Sequence, residues 1–243
     1  MYTLIKGEIG TFFNSLIGYI VIIVFLLING LFMWVLPLDF NVLEFGYANI
    51  DPLFMMAPFV FLFLIPAITM RSFADERRSG TIELLLTRPL TDLQIILAKY
   101  IAGLVLVIIS LLPTLIYFLT VYQLGLPKGN MDIGGTWGSF IGLLFLGASF
   151  VAVGLFVSSL TDNQIIAFIL GAFLCAIFYI GFELIYSLSL FGSIDLFIKN
   201  LGINAHYSSM SRGVIDTRDM LFFLSFISIF ILLTKISLES RKW

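Results

Sequence analysis

Charge is what this sequence has least of. Asp, Glu, Lys and Arg make up 12% of the 243 residues, where a soluble domain carries about a quarter. Hydrophobic residues reach 60% and the mean hydropathy is +1.09. A soluble globular domain is excluded, because a water-facing fold cannot bury so much apolar material. The net charge of −2 comes without a basic stripe, so a nucleic-acid partner has no electrostatic footprint. Cysteine is nearly absent too. Cys175 alone permits no internal disulfide and reads as a small buried hydrophobe. One His with no Cys cluster gives no zinc site. No Gly-x-x-x-x-Gly-Lys-[Ser/Thr] loop is present to cradle nucleotide phosphates. The apolar runs supply Ser and Thr without a His, Lys or Asp partner at depth, which argues against an intramembrane enzyme.

Long apolar runs are what the sequence has instead. At about 1.5 Å of rise per residue, roughly 20 apolar residues cross a hydrocarbon core. Six runs qualify, at 16–36, 52–70, 95–120, 137–160, 165–186 and 220–236. The first exceeds a signal-peptide core and no small-residue cleavage site follows it, so it reads as an anchor. Lys6, Arg71, Arg77, Arg78, Arg88, Lys99, Lys235, Arg241 and Lys242 fall on one side, and Lys128, Lys199, Arg212 and Arg218 on the other. This bias predicts both termini in the cytoplasm. The turn from Ser158 to Gln164 carries no cation and does not contribute. Ahead of the first run, residues 1–15 place Tyr2, Ile5, Ile9, Phe12 and Phe13 at helical spacing, with Lys6, Glu8 and Asn14 on other faces. That suits a helix lying in the interface; a disordered leader is the alternative, given Gly7 and Gly10.

The most polar stretch spans 72–90, between the second and third runs. Thr81 to Thr87 holds good helix formers, Pro89 ends them, and Thr91-Asp92-Leu93-Gln94 reads as a capping box opening the third span. Ile82, Leu85 and Leu86 share one face, with Glu83 and Thr87 on another. The pattern fits either a greasy knob ringed by charge that docks into a soluble partner, or a simple interfacial spacer.

The string Arg71-x-Phe73-Ala74-x-Glu76-Arg77-x-x-Gly80-Thr81-x-Glu83-Leu84-Leu85-Leu86-Thr87-x-Pro89 resembles that of the ABC-2 type transporter permeases. The likeness extends to six spans, an N-terminal elbow helix and a structured segment, 188–219, before the last span. At finer grain, Ser211 to Asp219 is similar to the gliding-motility-associated permeases of the Bacteroidetes. The resemblance implies an all-α polytopic membrane protein of the type V exporter fold, one domain over 1–243, with a cytoplasmic coupling helix and an outer re-entrant segment. It implies that Arg71, Phe73, Glu76, Arg77, Gly80, Thr81, Glu83, Leu84, Leu86, Arg88 and Pro89 couple to an ATPase, and that Glu183, His206, Arg212, Gly213 and Asp216 belong to an outer gate. The expected partners are a pair of ABC ATPase subunits, a second permease copy or a related companion, and membrane lipid. This chain itself is expected to bind no cofactor and to catalyse nothing, with ATP and Mg held by the ATPase.

Other residues keep two readings. Glu183 is the acid at depth, satisfied by water or by the hydroxyl of Tyr179 or Tyr186, or else in contact at a permease seam or gate. His206 reads as a solvated loop histidine, unless it lines an exit with Asn204 and Ser209. Small residues of the fourth span, Gly138 and Gly142 among them, read as packing. Pro58, Pro66 and Pro113 are able to break helices as in an ATP-independent transporter. A scaffold that moves nothing is the remaining alternative.

Overall fold

The computed structural model describes residues 1–38, 41–44, 46–81, 91–189 and 192–240. Among them every regular element is helical. Helix α1 (Tyr2–Phe13) precedes α2 (Leu16–Trp34), the first span. The second joins α3 (Asp51–Thr69) to α4 (Arg71–Arg78) through Met70, whose backbone stays helical. The third joins α5 (Asp92–Leu111) to α6 (Leu115–Leu124) through a tight turn at Leu112–Thr114. The fourth is α7 (Ile133–Leu160). The fifth joins α8 (Gln164–Ala176) to α9 (Phe182–Ser187) across a wide π turn at Ile177–Gly181. Short helices α10 (Asp195–Leu201) and α11 (Ile203–Met210) precede the sixth span, α12 (Thr217–Glu239). All six spans are long and apolar enough to cross a bilayer.

Local chemistry explains most boundaries. Thr91 accepts from the Gln94 amide while its own amide donates to the Gln94 side chain at 3.1 Å, so α5 opens with the capping box the sequence predicts. Pro113 lacks an N–H and crowds the preceding turn, and the third span tightens there. Pro58 and Pro66, by contrast, lie buried inside an unbroken α3. The sixth span is longer than the apolar run 220–236 because the Asp216 carboxylate caps it, accepting from the Arg218 amide at 3.0 Å.

Helix α7 is the axis of the bundle, buried along most of its length against α3, α5, α8 and α12. Its glycines allow this. A Cβ on Gly147 would come within 2.7 Å of the Val107 side chain, and one on Gly154 would overlap Thr69. Aromatic pairs fill the remainder, including Phe25 stacked on Phe61 at 4.9 Å and Phe145 on Phe223 at 5.7 Å. The first and fifth spans lie at the outside with most of their surface uncovered.

Candidate functional site

Two ends of the bundle carry the polar chemistry. The end that holds α1, α4 and the C-terminus of α12 is called the terminal face, and the opposite end the far face.

At the terminal face, the chain leaving the second span is clamped to the tip of α7. The Ser158 hydroxyl accepts from the amides of Phe73 at 3.0 Å and Ala74 at 3.2 Å, and donates to the Met70 carbonyl at 3.0 Å. These are the groups a new helical turn leaves unpaired, so α4 continues the span as helix from Arg71 to Arg78. Arg77 donates to the Ser159 carbonyl at 2.8 Å, and Ser237 of α12 donates to the same oxygen at 3.2 Å. Gln164, at the start of α8, donates to Asp75. The cation-free turn 158–164 is thus the seat on which α4 rests.

Beside it, the Lys99 ammonium lies 2.7 Å from both Glu8 of α1 and Glu76 of α4. Its side chain is 2% exposed and stands over the Phe73 ring at 5.3 Å. One cation holds two carboxylates from two elements, so the elbow helix, α4 and the third span form one charged cluster. Glu8, placed by its spacing off the apolar face of α1, turns toward the protein to meet Lys99. In the sequence Lys99 reads only as a flanking charge, and Ser158, Ser159 and Gln164 only as part of a turn without cations. Their spacing holds no signal, since each acts on a partner distant in the chain.

Just past the end of α4, Gly80 has φ of +71° and turns the chain sharply with open space around it. Thr81 then bonds Ser79 through the hydroxyls at 2.8 Å. Arg71 is exposed beside α1. Of the expected coupling residues, Glu83, Leu84, Leu86, Arg88 and Pro89 lie outside the described residues, as do Ile82, Leu85 and Thr87. The segment they occupy is bracketed by Thr81 and the capped Thr91.

At the far face, α11 and the turn after it press on the start of α7. Gly213 has φ of +83°, and a Cβ there would overlap the Gly135 backbone; one on Gly138 would fall 2.8 Å from the Gly213 Cα. Ser139 donates to the Ser211 carbonyl at 2.8 Å, and the Tyr207 hydroxyl donates to the Phe54 carbonyl at 2.7 Å. Glu183 is exposed and takes its hydrogen bond from Asn204, not from Tyr179 or Tyr186. His206 is not a solvated loop residue. Its ring stacks on Phe222 at 3.9 Å, with Nδ1 2.7 Å from the Asp219 carboxylate and Nε2 2.9 Å from the Asn200 carbonyl. The neighbours explain this, because Asp219 and Phe222 share a face of α12 that α11 covers. The amide of Arg218 holds the Asp216 carboxyl below the usual carboxylate range. Arg212 is exposed at the rim of a cavity of about 700 Å³ between α3, the π turn and α11. Glu183, His206, Arg212, Gly213 and Asp216 therefore share the far face without converging on one point.

The sequence profile of the ABC-2 family transporter protein matches residues 33–241. No curated protein sequence matches the chain. With six membrane-length helices and a match over most of its length, the chain belongs to the ABC-2 transporter family and is a multi-pass membrane permease component of an ABC transporter.

Proposed function

We propose that this permease receives force from a separate pair of ABC ATPase subunits through residues 82–90 and passes it to the bundle at the terminal face. The observation that carries the reading is the clamp around α4. Residues 71–81 are tied to α7 by Ser158, to α8 by Gln164, and to α1 and α5 by Lys99. A push that reaches α4 is delivered to four elements at once. ATP and Mg stay in the partner, since this chain has no phosphate loop. The ATPase closing around nucleotide supplies the differential binding that moves a two-state element.

In the same reading the terminal face is cytoplasmic, both termini lie on the cytoplasmic side of the inner membrane, and a second permease copy or companion completes the pathway. The uncovered first and fifth spans leave room for that companion beside lipid. The string 211–219 supports export or gliding motility as the use of the cycle. The test is disulfide crosslinking from Thr81→Cys or Leu84→Cys to a co-expressed ATPase in a Cys175→Ala background. The expected result is a crosslink whose yield changes with ATP. No crosslink to any ATPase in the native membrane would return a free-standing transporter or scaffold to first place.

A further inference from the structure

Helices α10 and α11 are joined by the single residue Gly202, and His206 of α11 reaches past that joint to both neighbouring helices. Its Nε2 lies 2.9 Å from the Asn200 carbonyl, in the last turn of α10. Its Nδ1 lies 2.7 Å from the Asp219 carboxylate, in the first turn of α12. The Asn200 carbonyl is one of those that a helix end leaves without an intrahelical partner.

Both partners are acceptors. A neutral imidazole has one N–H, so at one of the two contacts it would set a nitrogen lone pair against an oxygen. Turning the ring over only moves that clash to the other side. The imidazolium, with an N–H at each nitrogen, satisfies both. Its charge is also met by the Asp219 carboxylate and by the Phe222 ring, on which it stacks at 3.9 Å and 20°. With side chains 18% and 10% exposed, His206 and Asp219 leave little room for water to replace a lost donor.

The other charged and titratable groups around α11 have different settings. Helix α7 carries no charge over 133–160. Tyr207 donates to the Phe54 carbonyl, Glu183 of α9 accepts from Asn204, and Lys199 of α10 stands over the Tyr186 ring at 4.8 Å. Asp195 of α10 is buried. Tyr179 of the π turn lines the cavity with Asp51, Asp132 and Arg212, as do Asn204 and Ser208 on the side of α11 away from His206. Before α12, Asp216 accepts from the Arg218 amide.

We propose that His206 is a proton-operated latch on the far face. With two protons it fastens α10 and α11 to the start of α12, and loss of one proton lets them part. The latched state binds the extra proton, so it is held in acid and lost as the pH rises through the imidazole range, about 5 to 8. This deepens the permease reading and rests on it for the side of the membrane: the far face is then external, and opening of the outer mouth answers to external pH.

Neither ATPase nor nucleotide enters the test, so its failure leaves the coupling reading standing. The full chain is reconstituted in phospholipid nanodiscs with ring-labelled histidine, whose nitrogen NMR signals belong to His206 alone because the sequence holds one histidine. Spin labels on Leu196→Cys of α10 and Leu221→Cys of α12, both exposed, report the separation of the two helices in a Cys175→Ala background. The expected result is an N–H at both ring nitrogens near about pH 5 and loss of one as the pH rises toward about 8. A longer separation should appear over the same interval. His206→Phe keeps a ring on Phe222 and holds no proton, so it is expected to show the longer separation at every pH. Asp219→Asn is expected to move the transition to lower pH, because the imidazolium loses its counter-charge. The latch is overturned if the ring keeps one protonation state from about pH 5 to about pH 8, or if it titrates while the separation stays fixed. It is equally overturned if His206→Phe keeps the pH response or, should that variant not fold, if Asp219→Asn leaves the transition where it was.

Discussion

A lysine held between two carboxylates inside a helical bundle is stable only as part of the set. Lys99 is 2% exposed, and Glu8 and Glu76 are 17% and 19% exposed, so solvent screens the cluster little. Lys99→Met would leave two like charges facing each other with nothing between them. Breaking a buried pair in this way costs about 3–5 kcal/mol, and the variant is expected to melt well below the wild type in mild detergent. Adding Glu76→Gln should recover part of the loss. Equal melting of Lys99→Met and wild type would mean that the cluster holds nothing together. A second residue-scale expectation concerns Gly213. Gly213→Ala must accept both φ of +83° and an overlap with Gly135. The backbone term alone costs about 1–2 kcal/mol, so the turn should open, with faster protease cleavage after Arg212. Cleavage at the wild-type rate would refute the contact. The sequence showed these residue types and even marked Gly213. It could not show that Lys99 meets Glu8, 91 positions away, because no periodicity links them.

The element that matters most is α4, which is held by a hydroxyl of another helix. Ser158→Ala leaves the Phe73 and Ala74 amides without their side-chain acceptor and is expected to cost about 1–3 kcal/mol. Loss of α4 from α7 should also blunt the nucleotide dependence of the crosslink from Thr81→Cys. A variant of unchanged stability whose crosslink still responds fully to ATP would show that the clamp does not carry the force. Element ends written in local chemistry were legible in advance, the Thr91–Gln94 box being the clearest. Helix α4 itself was not. Its charged string reads as a polar loop, and it becomes helical only because Ser158 and the burial of Phe73 and Ala74 take up its amides and apolar groups. The π turn at Ile177–Gly181 carried no signal in the apolar pattern either.

For the whole molecule, the even number of spans puts α1 and the end of α12 on the same face, and the function proposed above needs that face to be cytoplasmic. A reporter active only outside the cytoplasm should therefore be silent when fused after Trp243 and active when inserted at Lys128–Asn130. The reverse pattern would invert the orientation and move the clamp to the side without ATP.

The sequence by itself determined that the chain lives in lipid and how many times it crosses. Those facts depend on the length and apolarity of each run, which are local. It also carried the family string, because that string is contiguous. Tertiary structure decided which polar residues act together: Lys99 with Glu8 and Glu76, Ser158 with α4, and His206 with Asp219. In a bilayer every buried polar group must find its partner within the protein. Which partner it finds is set by how the helices pack, and the close contacts of the α7 glycines fix that packing.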